Sequence, residues 1–491
     1  MTRRSVDYGP LLALAALMCL SLALRVGALS TGYWIDEGIS VGIASHPLSD
    51  IPRILGQDGN PPLYYVLLHL WMLGFGEGEA ATRALSLLFA LLAIPASFWA
   101  GSRVFDRRAG FVAAAGAAGA PFLTYYAQET RMYSLVVLLS IPASAAFALA
   151  FVRGERRQVA WLGLWLALLL YTHTWGLFLA ASMGVCWLVL WRRGLVGGAD
   201  GARLAGVLAL LYAPWLPSVI SQTAHTAAPW AERPSPLLLL GFAGGLFGYL
   251  ALPLLVVAVF FALRRRPPVD RAVRVLATMA IMTVSLAWVC SQIQPAWATR
   301  YLAVVLGPVL LALASVVSRG RLWTFVALVG VALVWVMSGG PPPVKSNVRM
   351  VSESIAPQVR PGDLVVATQP EQVPALYRYL PQDVVYRTPM GRVPDPRQTD
   401  WRNGLARLRA GQAETELLPA IARMDRGQRV LIVTPEPGAH PSQAPWARAV
   451  RIRTREWTAA LEASPRLRRV GGVSTIALPK NTVTAELYEV I

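Results

Sequence analysis

The chain has 491 residues, of which 55% are hydrophobic and only 15% charged, and its mean hydropathy is positive. Soluble domains carry roughly a quarter charged residues, so a soluble enzyme is excluded and a polytopic α-helical membrane protein is expected. The formal net charge of +18 would suit a nucleic-acid partner, but the arginines gather in short stretches between apolar runs: Arg103, Arg107 and Arg108; Arg153, Arg156 and Arg157; Arg192 and Arg193; Arg264, Arg265 and Arg266; Arg319 and Arg321. That is the positive-inside pattern of membrane loops, not a phosphate-binding face.

Apolar segments long enough to span, about 20 residues with some tilt, occur near 10–30, 83–102, 109–124, 132–152, 159–173, 175–191, 202–220, 237–263, 272–291, 300–318 and 321–338. Arg3 and Arg4 precede the first. It lacks a clean small-residue cleavage site and is followed by many more, so it is expected as a retained helix rather than a signal peptide. With the N-terminus inside, every arginine-rich loop falls on the cytoplasmic side. Segments 31–82, 125–131, the turn at His173-Thr174-Trp175, 221–236 and 292–299 then fall outside, as does the C-terminus.

The first outer segment opens with Tyr33-Trp34-Ile35-Asp36-Glu37-Gly38. Two adjacent carboxylates at a membrane boundary are costly and call for a reason. One reading is a solvated pair at the start of the following helix; the other is a general base facing a hydroxyl nucleophile. Residues 36–60 are expected to carry a further short helix. The apolar stretch Pro61-Pro62-Leu63-Tyr64-Tyr65 through Trp71 is too short to span comfortably and reads as a helix lying along the outer surface. His69 within it reads as structural.

The next outer group is Gln128-Glu129-Thr130-Arg131-Met132-Tyr133. Here an internal Glu129–Arg131 ion pair competes with a phosphate contact through the paired donors of Arg131. His173 reads equally as a proton relay, a sugar contact or a hydrogen-bonded structural residue. Arg300-Tyr301 opens a span from outside, either snorkelling or making a second phosphate contact. Arg53, Asp58, Arg83 and Arg233 are further charges in or beside the outer segments. The outer carboxylates could hold a divalent cation as readily as a proton. Cys19, Cys186 and Cys290 lie in or beside apolar runs and support neither a disulfide framework nor a metal-ligand spacing.

After Pro341-Pro342-Pro343 a polar region of roughly 150 residues follows, the size of one domain. Strand-like Leu364-Val365-Val366-Ala367 and Val430-Leu431-Ile432-Val433 alternate with helical stretches 371–380 and 443–462, which predicts a small α/β domain. The expected division is therefore 1–340 and 341–491. The C-terminal part contains no glycine-rich phosphate loop and no nucleophile elbow.

The ordered set of Asp36-Glu37, Asn60-Pro61-Pro62-Leu63-Tyr64-Tyr65 with Trp71, Arg83 with Ser86, Arg103-Val104-Phe105 with Arg107-Arg108-Ala109-Gly110, Gln128 to Tyr133, and Arg300-Tyr301 resembles a known family. It is the bacterial polyprenyl-phosphate-sugar glycosyltransferases, related to protein O-mannosyltransferases and to the lipid A aminoarabinose transferase. The resemblance covers about the first 340 residues.

It implies a GT-C fold of about 11 transmembrane helices, and an inverting transfer from a lipid-phosphate sugar to a glycan, lipid or protein hydroxyl at the outer face of the cell membrane. Asp36 would be the base, with Glu37 and Glu129 positioning acceptor or sugar. Arg131, Arg300 and Tyr301 would hold the donor phosphate, and Asn60, Tyr64, Arg83 and His173 the substrate. The aminoarabinose branch carries lysine before its paired prolines where this chain has Asn60, so the resemblance does not extend to that sugar. The competing reading is a transporter or flippase for a lipid-linked sugar. Such proteins place charged sites near the bilayer midplane, often between related halves, whereas here the charges sit at one face and no half-repeat is visible.

Overall fold

The structure is a computed structural model and describes residues 8–226, 228–264, 268–338, 344–436, 441–474 and 481–491. Arg3, Arg4, Arg265, Arg266 and the proline run 341–343 lie outside the described residues. The chain forms two compact units: one of residues 1–29, 83–216 and 233–342, the other of residues 30–82, 217–232 and 343–491. The two outer segments 30–82 and 217–232 thus fold together with the C-terminal region.

Among the described residues the first unit contains helices and no strand. Four helices among the described residues are long and apolar enough to cross a membrane: Glu79–Val104, Tyr133–Phe151, Arg271–Ile293 and the run Thr299–Val317. The number rises to six if each of two broken pairs, Gly198–Tyr212 with Leu216–His225 and Leu237–Phe247 with Leu252–Leu263, is one span. The second pair is bent by 90° after Gly248, whose φ of +83° suits only a residue without a Cβ. Five more apolar helices are shorter, among them Gly9–Arg25, Gln158–Leu170, Gly176–Arg192 and Leu322–Ser338. The predicted segment 109–124 is likewise interrupted, between Arg107–Gly119 and Pro121–Tyr126, because Pro121 cannot donate into the preceding turn.

Tyr133–Phe151 is buried on all sides and forms the centre of this unit. Small residues let its neighbours close in. A Cβ on Gly307 would meet the Ser140 backbone at 2.7 Å, and one on Gly101 would meet Gly110 at 2.8 Å, so these contacts are backbone against backbone. Arg25 is buried at the end of the first helix, where it donates to the carbonyls of Ala117 and Ala118 and to the Thr124 hydroxyl. It thereby satisfies acceptors that the helix end at Gly119 leaves open.

The second unit is built on a six-stranded sheet: β1 (Leu364–Ala367), β2 (Val385–Thr388), β3 (Gly391–Arg392), β4 (Arg429–Pro435), β5 (Leu467–Val473) and β6 (Val483–Val490), in the order β3-β2-β1-β4-β6-β5. β2, β1 and β4 run parallel and the edges are antiparallel. β1 reads Leu-Val-Val-Ala with no polar residue because both its faces are covered. Val365 and Ala367 pack with helices Val348–Ile355 and Val373–Tyr379, while Leu364 and Val366 pack with Trp457 and Leu461 of helix Pro445–Glu462. The predicted strands at 364–367 and 430–433 and the helix at 443–462 stand where the sequence places them. The predicted helix 371–380 begins with a 3₁₀ turn, Pro370–Gln372.

Candidate active site

Each unit gathers a group of the predicted residues. In the second unit Asp36 and Glu37 lie in the first turn of helix Ile35–Ala44, two and three residues after the N-cap Trp34, with Glu37 buried. Both carboxylates therefore sit at the end of the helix where the main-chain N–H groups point outward. Glu37 also accepts, at 3.5 Å, from the N–H of Trp34. The helix is a sharper element than the loop pair the sequence suggests, and a second one follows at Ile51–Asp58.

The helix is held from both sides. A Cβ on Gly38 would lie 2.8 Å from the Ala375 nitrogen, and one on Gly42 2.0 Å from the Arg397 carbonyl. Both glycines are needed for this approach. Ahead of the helix, the Tyr33 N–H donates to the Tyr379 hydroxyl at 2.7 Å, which donates to Glu79 at 2.9 Å. Behind it, both ring nitrogens of His46 meet oxygens: Nδ1 the Gly42 carbonyl at 2.9 Å and Nε2 the Asp395 carboxylate at 2.6 Å.

Glu371 in the 3₁₀ turn is the residue that sequence reasoning missed. It is buried, and one carboxylate oxygen accepts from the Trp446 indole at 2.9 Å and from the Gln369 amide at 2.8 Å. Burial first, and the charge of Asp36 after it, raise its pKa above the ordinary carboxyl value. Nothing in Gln369-Pro370-Glu371-Gln372 marks an acid that shares its electrostatic surroundings with a residue more than three hundred positions away.

Of the predicted substrate contacts in this unit, Asn60 donates to Asp58 at 2.6 Å. Tyr64 is fully buried, edge-on to Tyr65 with ring centroids 5.9 Å apart. His69 bonds the Ala44 carbonyl at 2.9 Å, in keeping with a structural role.

In the first unit Glu129 and Arg131 are buried in the turn that leads into the central helix Tyr133–Phe151. Main-chain bonds fix this turn: the Arg131 N–H donates to the Glu129 carbonyl at 2.8 Å, and the Ser86 hydroxyl donates to the Arg131 carbonyl at 3.1 Å. The Arg131 guanidinium stands 5.9 Å from the Tyr133 ring centroid, and that of Arg300 stands 5.5 Å from the Tyr301 ring.

The rings continue into one another. Tyr133 is 6.3 Å from Tyr301 and 6.0 Å from His173, which is 4.7 Å from Tyr301; Trp175 is 5.2 Å from Tyr301 and 5.3 Å from Trp297. The structure therefore brings Arg131, Arg300, Tyr301 and His173 together. The imidazole of His173, in the turn between helices, is pushed down to about 3 by burial and then by Arg131 and Arg300, so it is neutral. Its Nδ1 accepts from the Trp175 N–H at 3.1 Å. Arg83 donates to the carbonyls of Ala28 and Leu29 at 3.2 and 2.8 Å, closing the end of the first helical segment.

Two permanent cations on an aromatic wall beside a neutral imidazole can bind a phosphate whose substituent is apolar. Among the described residues no group of three or more His, Cys, Asp or Glu is placed to hold a metal ion.

No family model matches the chain, and no curated protein matches it in sequence. Solved structures do. ArnT from Cupriavidus metallidurans in the apo state superposes with a TM-score of 0.59 at 14% identity over 98% of each chain, and the same protein bound to undecaprenyl phosphate with 0.58. The mycobacterial arabinofuranosyltransferase AftD gives 0.55 at 18% identity, covering 99% of this chain and 40% of that longer one. The Archaeoglobus fulgidus oligosaccharyltransferase gives 0.52 at 14% identity over 88% and 70%. All are glycosyltransferases of the GT-C type, and the chain has the GT-C membrane fold.

Proposed function

We propose that the chain is an inverting glycosyltransferase that moves a sugar from a polyprenyl-phosphate donor to a hydroxyl acceptor at the outer face of the membrane. About eleven helices would cross the bilayer, and residues 341–491, of which 343–491 fold with 30–82 and 217–232, would form an extracytoplasmic α/β domain. The observation that carries the reading is the convergence of Arg131 and Arg300 on the ring cluster of Tyr133, His173 and Tyr301. Two structures of similar fold support the reading, ArnT having been solved with undecaprenyl phosphate and the archaeal oligosaccharyltransferase with dolichol-phosphate.

The reaction then runs as a single displacement. The acceptor oxygen bonds to the anomeric carbon as its proton passes to Asp36. The bond from that carbon to the phosphate oxygen breaks, and its electron pair stays on the phosphate. The polyprenyl phosphate gains negative charge as it leaves, where Arg131 and Arg300 stabilise it. Attack opposite the leaving group inverts the carbon. Glu37 and Glu129 position acceptor or sugar, with Asn60, Tyr64, Arg83 and His173 as further substrate contacts. His173 serves there as a neutral hydrogen-bonding group, not as a third cation.

Incubating purified protein with radiolabelled polyprenyl-phosphate sugars tests the proposal. Label appearing on an acceptor or in water supports it. Intact donor that moves across a proteoliposome membrane without chemistry supports a transporter instead.

A further inference from the structure

In the first unit, helices Gly176–Arg192 and Arg271–Ile293 leave a cavity of about 420 Å³ between them. Its walls are apolar, with Val185, Val189 and Met282 among them, and it is also lined by Arg193, Arg271 and Arg274. The three arginines sit where one helix ends and the other begins, so they share one end of the groove. Val185 lies eight residues before Arg193, so the apolar wall runs about 12 Å along the helix from the charge.

The charge is not balanced locally. At this basic end Glu155 pairs with Arg103, Asp270 with Arg153, and Asp200 with Arg156 and Arg203, while Asp106 caps its own helix. Among the described residues no acid pairs with Arg193, Arg271 or Arg274. All three side chains are exposed.

From this groove we infer a binding site for an anionic phospholipid. Its headgroup phosphate lies on Arg193, Arg271 and Arg274, and its acyl chain runs along Val185, Val189 and Met282. Guanidinium forks offer paired donors that match the oxygens of a phosphate. Basic pockets between membrane helices are a recognised setting for acidic headgroups, and the volume lies within the ordinary range of small-ligand sites. The inference concerns residues other than those assigned to sugar transfer and holds whether or not that transfer does.

Native mass spectrometry of the purified full chain with added dioleoylphosphatidylglycerol tests it. The wild type should retain the lipid, and the triple variant R193Q/R271Q/R274Q should hold it about tenfold or more weakly, each lost cation near an anionic headgroup costing a severalfold change. Val189→Trp, which fills the apolar wall and leaves the arginines in place, should weaken it too. Retention of phosphatidylcholine should be the same in all three proteins. Equal phosphatidylglycerol binding by wild type and triple variant overturns the inference. So does preferential retention of undecaprenyl phosphate, which would make the occupant an isoprenoid phosphate.

Discussion

Replacing Arg131 probes the proposed phosphate contact with a defined magnitude. The side chain is only 7% exposed and its main chain is fixed by Glu129 and Ser86, so alanine removes the guanidinium without releasing the turn. A charge-assisted hydrogen bond contributes about 1.5–3 kcal/mol. Losing a bidentate pair, offset by water entering the vacated space, leaves about 3 kcal/mol, or roughly a 10²-fold weaker Kd. Lysine keeps the charge but not the fork, so Arg131→Lys should lose roughly tenfold. The assay is equilibrium binding of undecaprenyl phosphate without its sugar, because the contact is to phosphate. If Arg131→Ala binds the bare lipid phosphate as tightly as wild type, the assignment is wrong and Arg131 serves as a structural partner of Glu129.

Three further outcomes are expected. Gly42→Leu should destabilise the second unit by about 2 kcal/mol or more, since even its Cβ would collide with the Arg397 carbonyl; earlier proteolysis of the C-terminal region reads this out, and wild-type resistance would refute the packing. Glu371→Gln should gain stability relative to wild type as pH rises above the ordinary carboxyl range. Folded Glu371 keeps a proton that the unfolded chain has released, so the wild type loses stability with rising pH in that window and glutamine does not; a pH-independent difference in Tm would contradict this. Cysteines placed near Asp36, in 292–299 and in the C-terminal region should react with an impermeant reagent from outside, whereas one near Arg107 should not. Labelling of the C-terminal cysteine only after permeabilisation would mean that the chain crosses the membrane one time fewer or more.

What the sequence showed and what it hid follow from the range of the interactions involved. Apolar runs and strand-like β1 and β4 are local, and the arginine-rich loops carry their own charge signature, so helices such as Tyr133–Phe151 and the α/β character of the C-terminal region were readable. Helix breaks at Pro121 and Gly248 are legible only as single residues inside long apolar stretches, where hydropathy outweighs them. The fold of 30–82 with 343–491 was not readable. It rests on pairs such as Tyr33 with Tyr379 and His46 with Asp395, each separated by more than three hundred residues. The same distance concealed Glu371. Arg131, Arg300 and Tyr301 could be picked out because charge is rare in the outer segments, but the ring cluster joining them to His173, Trp175 and Trp297 required four separate helix ends to converge.

Single-turnover transfer by Asp36→Asn tests most directly whether Asp36 accepts the proton of the attacking hydroxyl. Asparagine keeps the shape of the side chain and the helix that carries it, so undecaprenyl-phosphate binding should match wild type. Transfer of radiolabelled sugar from the polyprenyl-phosphate donor should fall on the order of 10²–10⁴-fold, the worth of a positioned general base. Transfer near the wild-type rate, with donor binding unchanged, would remove Asp36 from the mechanism.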